Sequence, residues 1–269
     1  MRTTPNRQGE TLFVTSDNDP PNRRDFFPAL YHAHHRDYVD DLTFWLDLAK
    51  KQSGPILELG CGTGRVLIPL AKAGHRIYGI DKDPGMLAVL KDNLPASDQN
   101  KVETLQADFA SFQLHQQFPL IILPCNTYST LNAGIRYQVL RCVHQHLKTG
   151  GSFAVSIPNP TTLARLDSND ESEIDSIFPH PSTGHPVQVS CDWERSASQV
   201  ILNWHYDHLL PDGRVERLTT SIHHFLATTK EYRQEIANAG LRINGVYGNF
   251  DLSPYKSQSP NLILVASKI

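Results

Sequence analysis

Three glycines at alternate positions, Gly60, Gly62 and Gly64, follow an acidic residue, Glu58, in the stretch ILELGCGTGR. Glycine tolerates backbone angles that other residues avoid, so such a loop can turn tightly and bring its backbone close to a ligand. One candidate ligand is a pyrophosphate seated on the N-terminus of the following helix. That fingerprint is G-x-G-x-x-G, and here the third glycine comes one place early. Glu58 would also oppose phosphate charge, whereas it suits a ligand carrying an ammonium group. Asp81 ends the next apolar run, RIYGID, and fits ribose hydroxyls under either chemistry. Asp108, in LQADF, is better placed for the exocyclic amine of adenine. The three acids and the loop together suit an adenosyl group with a cationic amino-acid tail.

Other residues could contact a second reactant. PLIILPCNTYS places Pro124, Cys125, Asn126 and Tyr128 just after a strongly apolar run, where Asn126 and Tyr128 could hydrogen-bond an acceptor. In QVILNWHYDHLL, Trp204 and Tyr206 share one face of a strand, and His205 and Asp207 share the other. One face must pack, so at most one of these pairs lines a pocket. Tyr247 and Tyr255 bracket a loop rich in Gly, Asn, Asp and Pro. Asn126, Tyr128, His205 and Tyr247 are the candidates for a catalytic role. Acceptor contacts are expected from Asn126, Tyr128, Trp204, Tyr206, Tyr247 and Tyr255. His32, His34 and His35 lie close together, but HAHH has no nearby cysteine and no helical His pair bracketing a carboxylate. It reads as a solvated or entrance-lining cluster, and no metal is expected.

The elements that must position these residues alternate. Residues 37–51 read as an amphipathic helix through Val39, Leu42, Leu46 and Ala49. Strands follow at 55–60, 76–81, 102–108, 119–125 and 152–157, with helices at 65–74, 84–94 and 135–147 between them. Asp83 is a natural N-cap with Pro84 as first helical residue, and Gly74 suits the end of a helix. Strands separated by helices call for a parallel sheet covered on both faces, with ligands at the C-terminal strand ends. Residues 158–186 read as a long polar connection, and the acidic stretch DSNDESEID within it as a solvated loop. Three period-two runs follow, with PDGR (211–214) as a hairpin turn between the last two. A helix at 229–240 and strands at 242–248 and 261–268 close the chain.

ILELGCGTGR, YGIDKDPGML, LQADF and LKTGGSFAVSI resemble, in order and spacing, the successive motifs of class I S-adenosylmethionine-dependent methyltransferases. The resemblance implies an α/β, Rossmann-like, doubly wound sheet of seven strands, the last antiparallel, with an inserted antiparallel β lid. It implies S-adenosylmethionine as cofactor and S-adenosylhomocysteine as product. Carried over by position, Glu58 and Gly60 lie by the methionine moiety, Gly62 and Gly64 let the backbone approach it, Cys61 and Thr63 belong to the same cofactor-binding loop, and Asp81 takes the ribose diol. Lys82 and Met86 flank the nucleoside, Asp108 and Phe109 address adenine, and Pro124 borders the site. YHAHHRDYVDD and GVYGNFDLSPY narrow the likeness to small-molecule enzymes that include amino-sugar and glycine or sarcosine N-methyltransferases. In that group an N-terminal segment with tyrosines folds over the cofactor, a role matched by Tyr31 and Tyr38. Cytosine C5 methyltransferases carry a nucleophilic cysteine near the position of Cys125, but their supporting motifs are missing here, so Cys125 reads as a small rim residue.

The expected organisation is a polar leader at 1–30, a cofactor-binding core at 31–157, an inserted β lobe at 158–228, and a C-terminal part at 229–269 that completes the core. With 25 basic and 28 acidic residues and no long Lys/Arg run, nothing resembles a phosphate-backbone footprint. No window approaches the roughly 18 apolar residues of a membrane span. The four cysteines form no C-x-x-C and suit a reducing, cytoplasmic setting. The expected activity is methyl transfer to nitrogen or oxygen of a small molecule, by a monomer or homodimer. A cofactor-binding module without turnover and a nucleic-acid or protein methyltransferase are the alternatives.

Overall fold

The computed structural model describes residues 11–14 and 26–269. The leader expected at 1–30 falls mostly outside the described residues. Within it, Thr11–Val14 forms strand β1, and helix α1 (Phe27–His35) begins before the expected boundary.

The chain then alternates as α2 (Leu42–Lys50), β2 (Ile56–Leu59), α3 (Leu67–Lys72), β3 (Ile77–Asp81) and α4 (Pro84–Asn93). It continues as β4 (Val102–Gln106), β5 (Phe118–Leu123), α5 (Ala133–His146), β6 (Leu147–Pro158) and a short α6 (Pro160–Leu163). Four long strands follow: β7 (Asn169–Pro179), β8 (Pro186–Arg195), β9 (Gln199–Leu209) and β10 (Val215–Phe225). The chain closes with α7 (Thr229–Asn238), β11 (Leu241–Tyr247) and β12 (Asn261–Lys268). Local chemistry explains several of these boundaries. Asp83 caps α4 by accepting from the Gly85 and Met86 amides, and Thr228 and Glu231 form a reciprocal capping box on α7.

Two compact units result. One joins Tyr38–Leu166 with Phe225–Ile269, and the other joins the segment through Asp37 with Asp167–His224. The first holds a seven-stranded sheet in the order β11-β12-β6-β5-β2-β3-β4. β2 pairs parallel with β3 and β5, whereas β12 runs antiparallel to both β6 and β11. This is the expected doubly wound sheet with its last strand reversed. The chain turns in opposite directions from β2 and β5, so their carboxyl ends flank the topological switch point where such sheets bind ligands.

The second unit is a sheet ordered β1-β10-β9-β8-β7, antiparallel through β7, β8 and β9. β1 pairs parallel with β10. Gly213, with φ of 85°, makes the turn of PDGR between β9 and β10. Residues 169–179 correct the sequence reading, because what looked like a solvated loop is the edge strand β7. Its acidic residues are exposed, as are Ile174 and Ile177 at 64% and 63%. Two register irregularities break its alternation, so pairing with β8 decides its conformation against its composition.

Helix α2 is also corrected. It starts at Leu42, Val39 is exposed, and the buried side chains are Phe44, Trp45 and Ala49. Trp45 donates to Asp41 Oδ2 at 3.0 Å, which turns the indole inward and leaves Leu42 and Leu46 half-buried.

Candidate functional site

All four residues of β2 are buried, which is ordinary for Ile56, Leu57 and Leu59 and costly for Glu58. Glu58 is 2% exposed, and its Oε2 has no hydrogen-bond partner. Burial pushes its carboxyl well above the usual carboxylate range. Arg65 opposes that push, while Asp41 and Asp81 add to it.

Beyond β2 the chain runs through Gly60, Gly62 and Gly64, all left-handed, with φ of 67°, 51° and 86°. The Gly60 and Cys61 amides donate to the Ile80 carbonyl at 2.8 and 3.1 Å, and the Gly62 amide donates to Asp81 Oδ2 at 2.8 Å. The loop therefore hangs from the end of β3. A Cβ on Gly62 would meet nothing within 4 Å, whereas one on Gly64 would come within 3.0 Å of Ile68 and Leu90. Gly64 serves packing, and Gly62 leaves its face open to a ligand. Cys61 and Thr63 are buried, and Cys61 Sγ fills the space above Gly79. Only the backbone of Cys61 is left for a cofactor.

Asp81 also accepts from the Asp83 amide at 2.9 Å. Burial raises its proton affinity against the lowering effect of these two amides. Lys82 is exposed and Met86 half-buried at the start of α4. Asp108 is exposed and shapes its own turn by accepting from the Ala110 amide at 2.8 Å. Phe109 reaches back across the sheet end, 3.6 Å from where a Cβ on Gly60 would lie. Thr127 approaches the same point to 3.5 Å, which sets the turn after β5 against the glycine loop.

That turn contains two consecutive left-handed residues that are not glycine, Cys125 at φ 62° and Asn126 at φ 60°. Such conformations persist only where their surroundings over-determine them. Arg65 supplies part of that constraint. Its guanidinium donates to Asp41 Oδ1 and Oδ2 at 2.6 and 2.7 Å, to the Tyr38 carbonyl at 3.0 Å and to Cys125 Sγ at 2.9 Å. It also lies 5.0 Å from the centre of the Tyr38 ring. Sequence reasoning missed both Arg65 and Asp41. Arg65 directly follows Gly64, but nothing marked Asp41 among the acids of DYVDD.

Cys125 is exposed as a residue while its sulfur is desolvated beside the Arg65–Asp41 pair, and desolvation raises the thiol to about 11. A thiol held protonated is a poor nucleophile at neutral pH. Its alkylation rate should keep rising with pH past 9, where an ordinary cysteine levels off. Asp41→Asn should shift that profile to lower pH, because Asp41 raises the thiol and Arg65 lowers it. An unshifted profile would show that the pair does not control the sulfur.

Several candidate contacts are engaged within the fold. Tyr128 is fully buried, and its hydroxyl donates to Glu235 Oε2 at 3.3 Å, beside the Arg136–Glu235 ion pair. It packs against α5 and α7 and offers nothing to an acceptor. The Tyr255 hydroxyl donates to Asn159 Oδ1 at 2.7 Å and accepts from Thr229 at 3.1 Å, so it anchors its loop. Tyr247 is half-buried, with its ring against Gly245, where a Cβ would fall 2.5 Å away.

The remaining candidates lie in the second unit. Tyr206 is 2% exposed in a small core with Leu30, Val187 and Val189, and its hydroxyl is 3.1 Å from His34 Nδ1. The Trp204 ring packs on His34 as well. Both nitrogens of His205 are engaged, with Asp192 at 2.7 Å and Thr219 at 2.8 Å. Tyr31 stands on α1 with its ring against Phe27 and His35. A cavity of about 380 Å³ in this unit is lined by Leu30, Val187, Tyr206 and His208 among others, and by none of the glycine-loop residues. Among the described residues, no group of three His, Cys, Asp or Glu could hold a metal.

The residues around the loop fit S-adenosylmethionine. The unpartnered Glu58 oxygen matches an ammonium group, and the open face of Gly62 admits a close ligand. Residues 56–151 match the family model described as a methyltransferase domain. The chain is 24% identical over 229 residues to the cypemycin N-terminal methyltransferase of a Streptomyces species, covering 84% of this chain and 89% of that protein. An S-adenosylmethionine-dependent methyltransferase from Clostridium acetobutylicum superposes with a TM-score of 0.75 at 16% identity, over 90% of this chain and 97% of that one. The sugar N-methyltransferase KedS8 from a Streptoalloteichus species superposes at 0.72 with 17% identity, over 96% of each chain. The fold is that of a class I methyltransferase. Residues 56–151 are its methyltransferase domain.

Proposed function

We propose that the protein methylates a nitrogen of a small molecule, with Glu58, the glycine loop, Asp81, Asp108 and Phe109 forming the cofactor seat. The observation that carries the seat is Glu58, a buried carboxyl with an unpartnered oxygen below a loop with an open face. S-adenosylmethionine, when bound, supplies a methyl group on a cationic sulfonium. In this reading Glu58 pairs with the ammonium end. Asp81 accepts from the ribose hydroxyls with the lone pairs that Gly62 and Asp83 leave over. Asp108 and Phe109 address adenine, Lys82 and Met86 flank the nucleoside, and Tyr38 and Pro124 border the site.

Choice of nitrogen rests on the names of the relatives, one a cypemycin N-terminal methyltransferase and one a sugar N-methyltransferase. Asn126 is the acceptor contact we favour, because its turn lies against the glycine loop. The chain's main task is to align the nucleophile about 3 Å from the methyl carbon and to exclude water. A cytoplasmic setting belongs to the same proposal, since free cysteines suit a reducing compartment.

The test is transfer of labelled methyl to a panel of small amines, with matched alcohols beside them. Product from alcohols alone would reject nitrogen, and binding without any product would favour a module that holds the cofactor without turnover. Within the seat, Asp81→Ala should weaken S-adenosylhomocysteine binding by about 1–3 kcal/mol, because it removes ribose contacts and strands the Gly62 amide. Calorimetry should therefore read a loss of roughly 5- to 150-fold. Unchanged affinity would remove Asp81 from the seat.

A further inference from the structure

Glu58 presents a problem that the cofactor seat alone does not explain. A buried carboxylate is normally paired or accepts several hydrogen bonds, and an isolated one is costly enough that it takes up a proton instead. Glu58 Oε2 has no partner, and Glu58 lies in the middle of the four fully enclosed residues of β2. The groups that act on it come from every neighbouring element. Asp41 precedes α2, Asp81 ends β3, the Cys61 and Cys125 thiols lie on the loop and on the turn after β5, and Arg65 opens the way to α3. Two of these are acids, and both thiols hold their protons. Arg65 could neutralise Glu58, but its guanidinium is engaged by both Asp41 oxygens, the Tyr38 carbonyl and Cys125. The cation of the cluster is spent on a different carboxylate.

We infer that Glu58 is stored as a neutral acid in the free protein and becomes a carboxylate only when an ammonium-bearing ligand arrives, so that binding releases a proton. The inference rests on the proposed cofactor seat and adds its coupling to pH. The balance is simple. A protonated carboxyl and a ligand ammonium become a carboxylate–ammonium pair, and the carboxyl proton leaves to solvent. The ligand's ammonium takes the place of the proton beside Glu58, so the buried carboxylate is never left without a partner.

The sign follows from linkage. A process that releases a proton is favoured as pH rises, so affinity should increase by up to tenfold per pH unit while Glu58 is protonated in the free protein. Burial raises the free-state carboxyl well above the ordinary range, so the dependence extends above the pH at which an exposed glutamate would already be ionised. It disappears above the raised value, where no proton is left to release.

The experiment is calorimetric titration of the full chain with S-adenosylhomocysteine across about pH 5 to 8, in buffers of different ionisation enthalpy. The slope of heat against ionisation enthalpy counts the protons exchanged. We expect a release approaching one proton per ligand at the acid end, falling as pH rises. Two comparisons assign that proton. Glu58→Gln keeps the shape of the side chain and should bind without release. With wild-type protein, 5′-methylthioadenosine carries the ribose and adenine but no ammonium, so it should also bind without release. An equal release with 5′-methylthioadenosine would move the proton to another group, Asp81 foremost, and overturn the proposal. Tight binding of S-adenosylhomocysteine with no proton exchange would overturn it while leaving the cofactor seat standing. Failure of S-adenosylhomocysteine to bind at any pH would sink the seat and the proposal together.

Discussion

Arg65→Ala is expected to destabilise the protein by about 3–5 kcal/mol, the cost of removing one partner from a buried ion pair. Asp41 is 1% exposed, and two of the contacts that offset its burial are Arg65 hydrogen bonds shorter than 2.8 Å. Without Arg65 the carboxylate keeps the Trp45 indole N–H, which does not neutralise its charge. The Cys125–Asn126 turn would lose its bond to the sulfur as well, with two left-handed residues to support. For a chain of this size the loss corresponds to a fall in Tm of roughly 6–20 °C. Asp41→Asn combined with Arg65→Met removes both charges and should recover much of the difference, because no buried ion is left alone. A fall of Arg65→Ala below about 2 °C would show that the pair is solvent-screened and contributes as little as an exposed one.

The second large effect separates two glycines that look alike in sequence. Gly64→Val places a β-branched residue at φ 86°, and its Cβ meets Ile68 Cδ1 and Cγ1 and Leu90 Cγ at 3.0 Å. Left-handed strain costs about 1–2 kcal/mol, and overpacking a filled core adds about 1–3. The expected total is therefore about 2–5 kcal/mol, read as a lower denaturation midpoint. Gly62→Ala has the same kind of backbone strain with nothing within 4 Å, so it should cost only about 1–2 kcal/mol in stability. Its larger effect should fall on S-adenosylhomocysteine affinity, because the new methyl group occupies the open face of the loop. Equal losses of stability at both positions would contradict the packing difference. Unaffected affinity in a folded Gly62→Ala would mean that the ligand approaches from elsewhere.

Much of the fold was legible from local pattern. The alternation of apolar runs with helical stretches identified the parallel strands, and Asp83-Pro84 marked the start of α4 where it is observed. PDGR marked a turn that Gly213 makes at positive φ. β7 was not legible, because an edge strand with charged, exposed residues lacks the period-two signal of a strand with one buried face. The face of α2 was misread for a related reason, since Trp45 turns inward to Asp41 rather than following the row of leucines.

The site divides in the same way. The sequence by itself determined the glycine loop and marked its acidic neighbour, Asp81 at the end of β3 and Asp108 just beyond β4, because residue types and short spacings are local properties. Left-handed backbone at three alternating positions needs glycine wherever the rest of the chain goes. What only the tertiary structure decided is which groups are buried and which are already taken. Arg65 meets Asp41 from 24 residues away and Cys125 from 60, and Tyr128 is claimed by Glu235 from 107. A tyrosine hydroxyl, a cysteine thiol or a glutamate has no fixed role until its surroundings are assembled, because desolvation and partner geometry set both its availability and its proton affinity. Glu58 could be read as an acid beside a loop, but its unpartnered oxygen arises only when β2 is enclosed on every side.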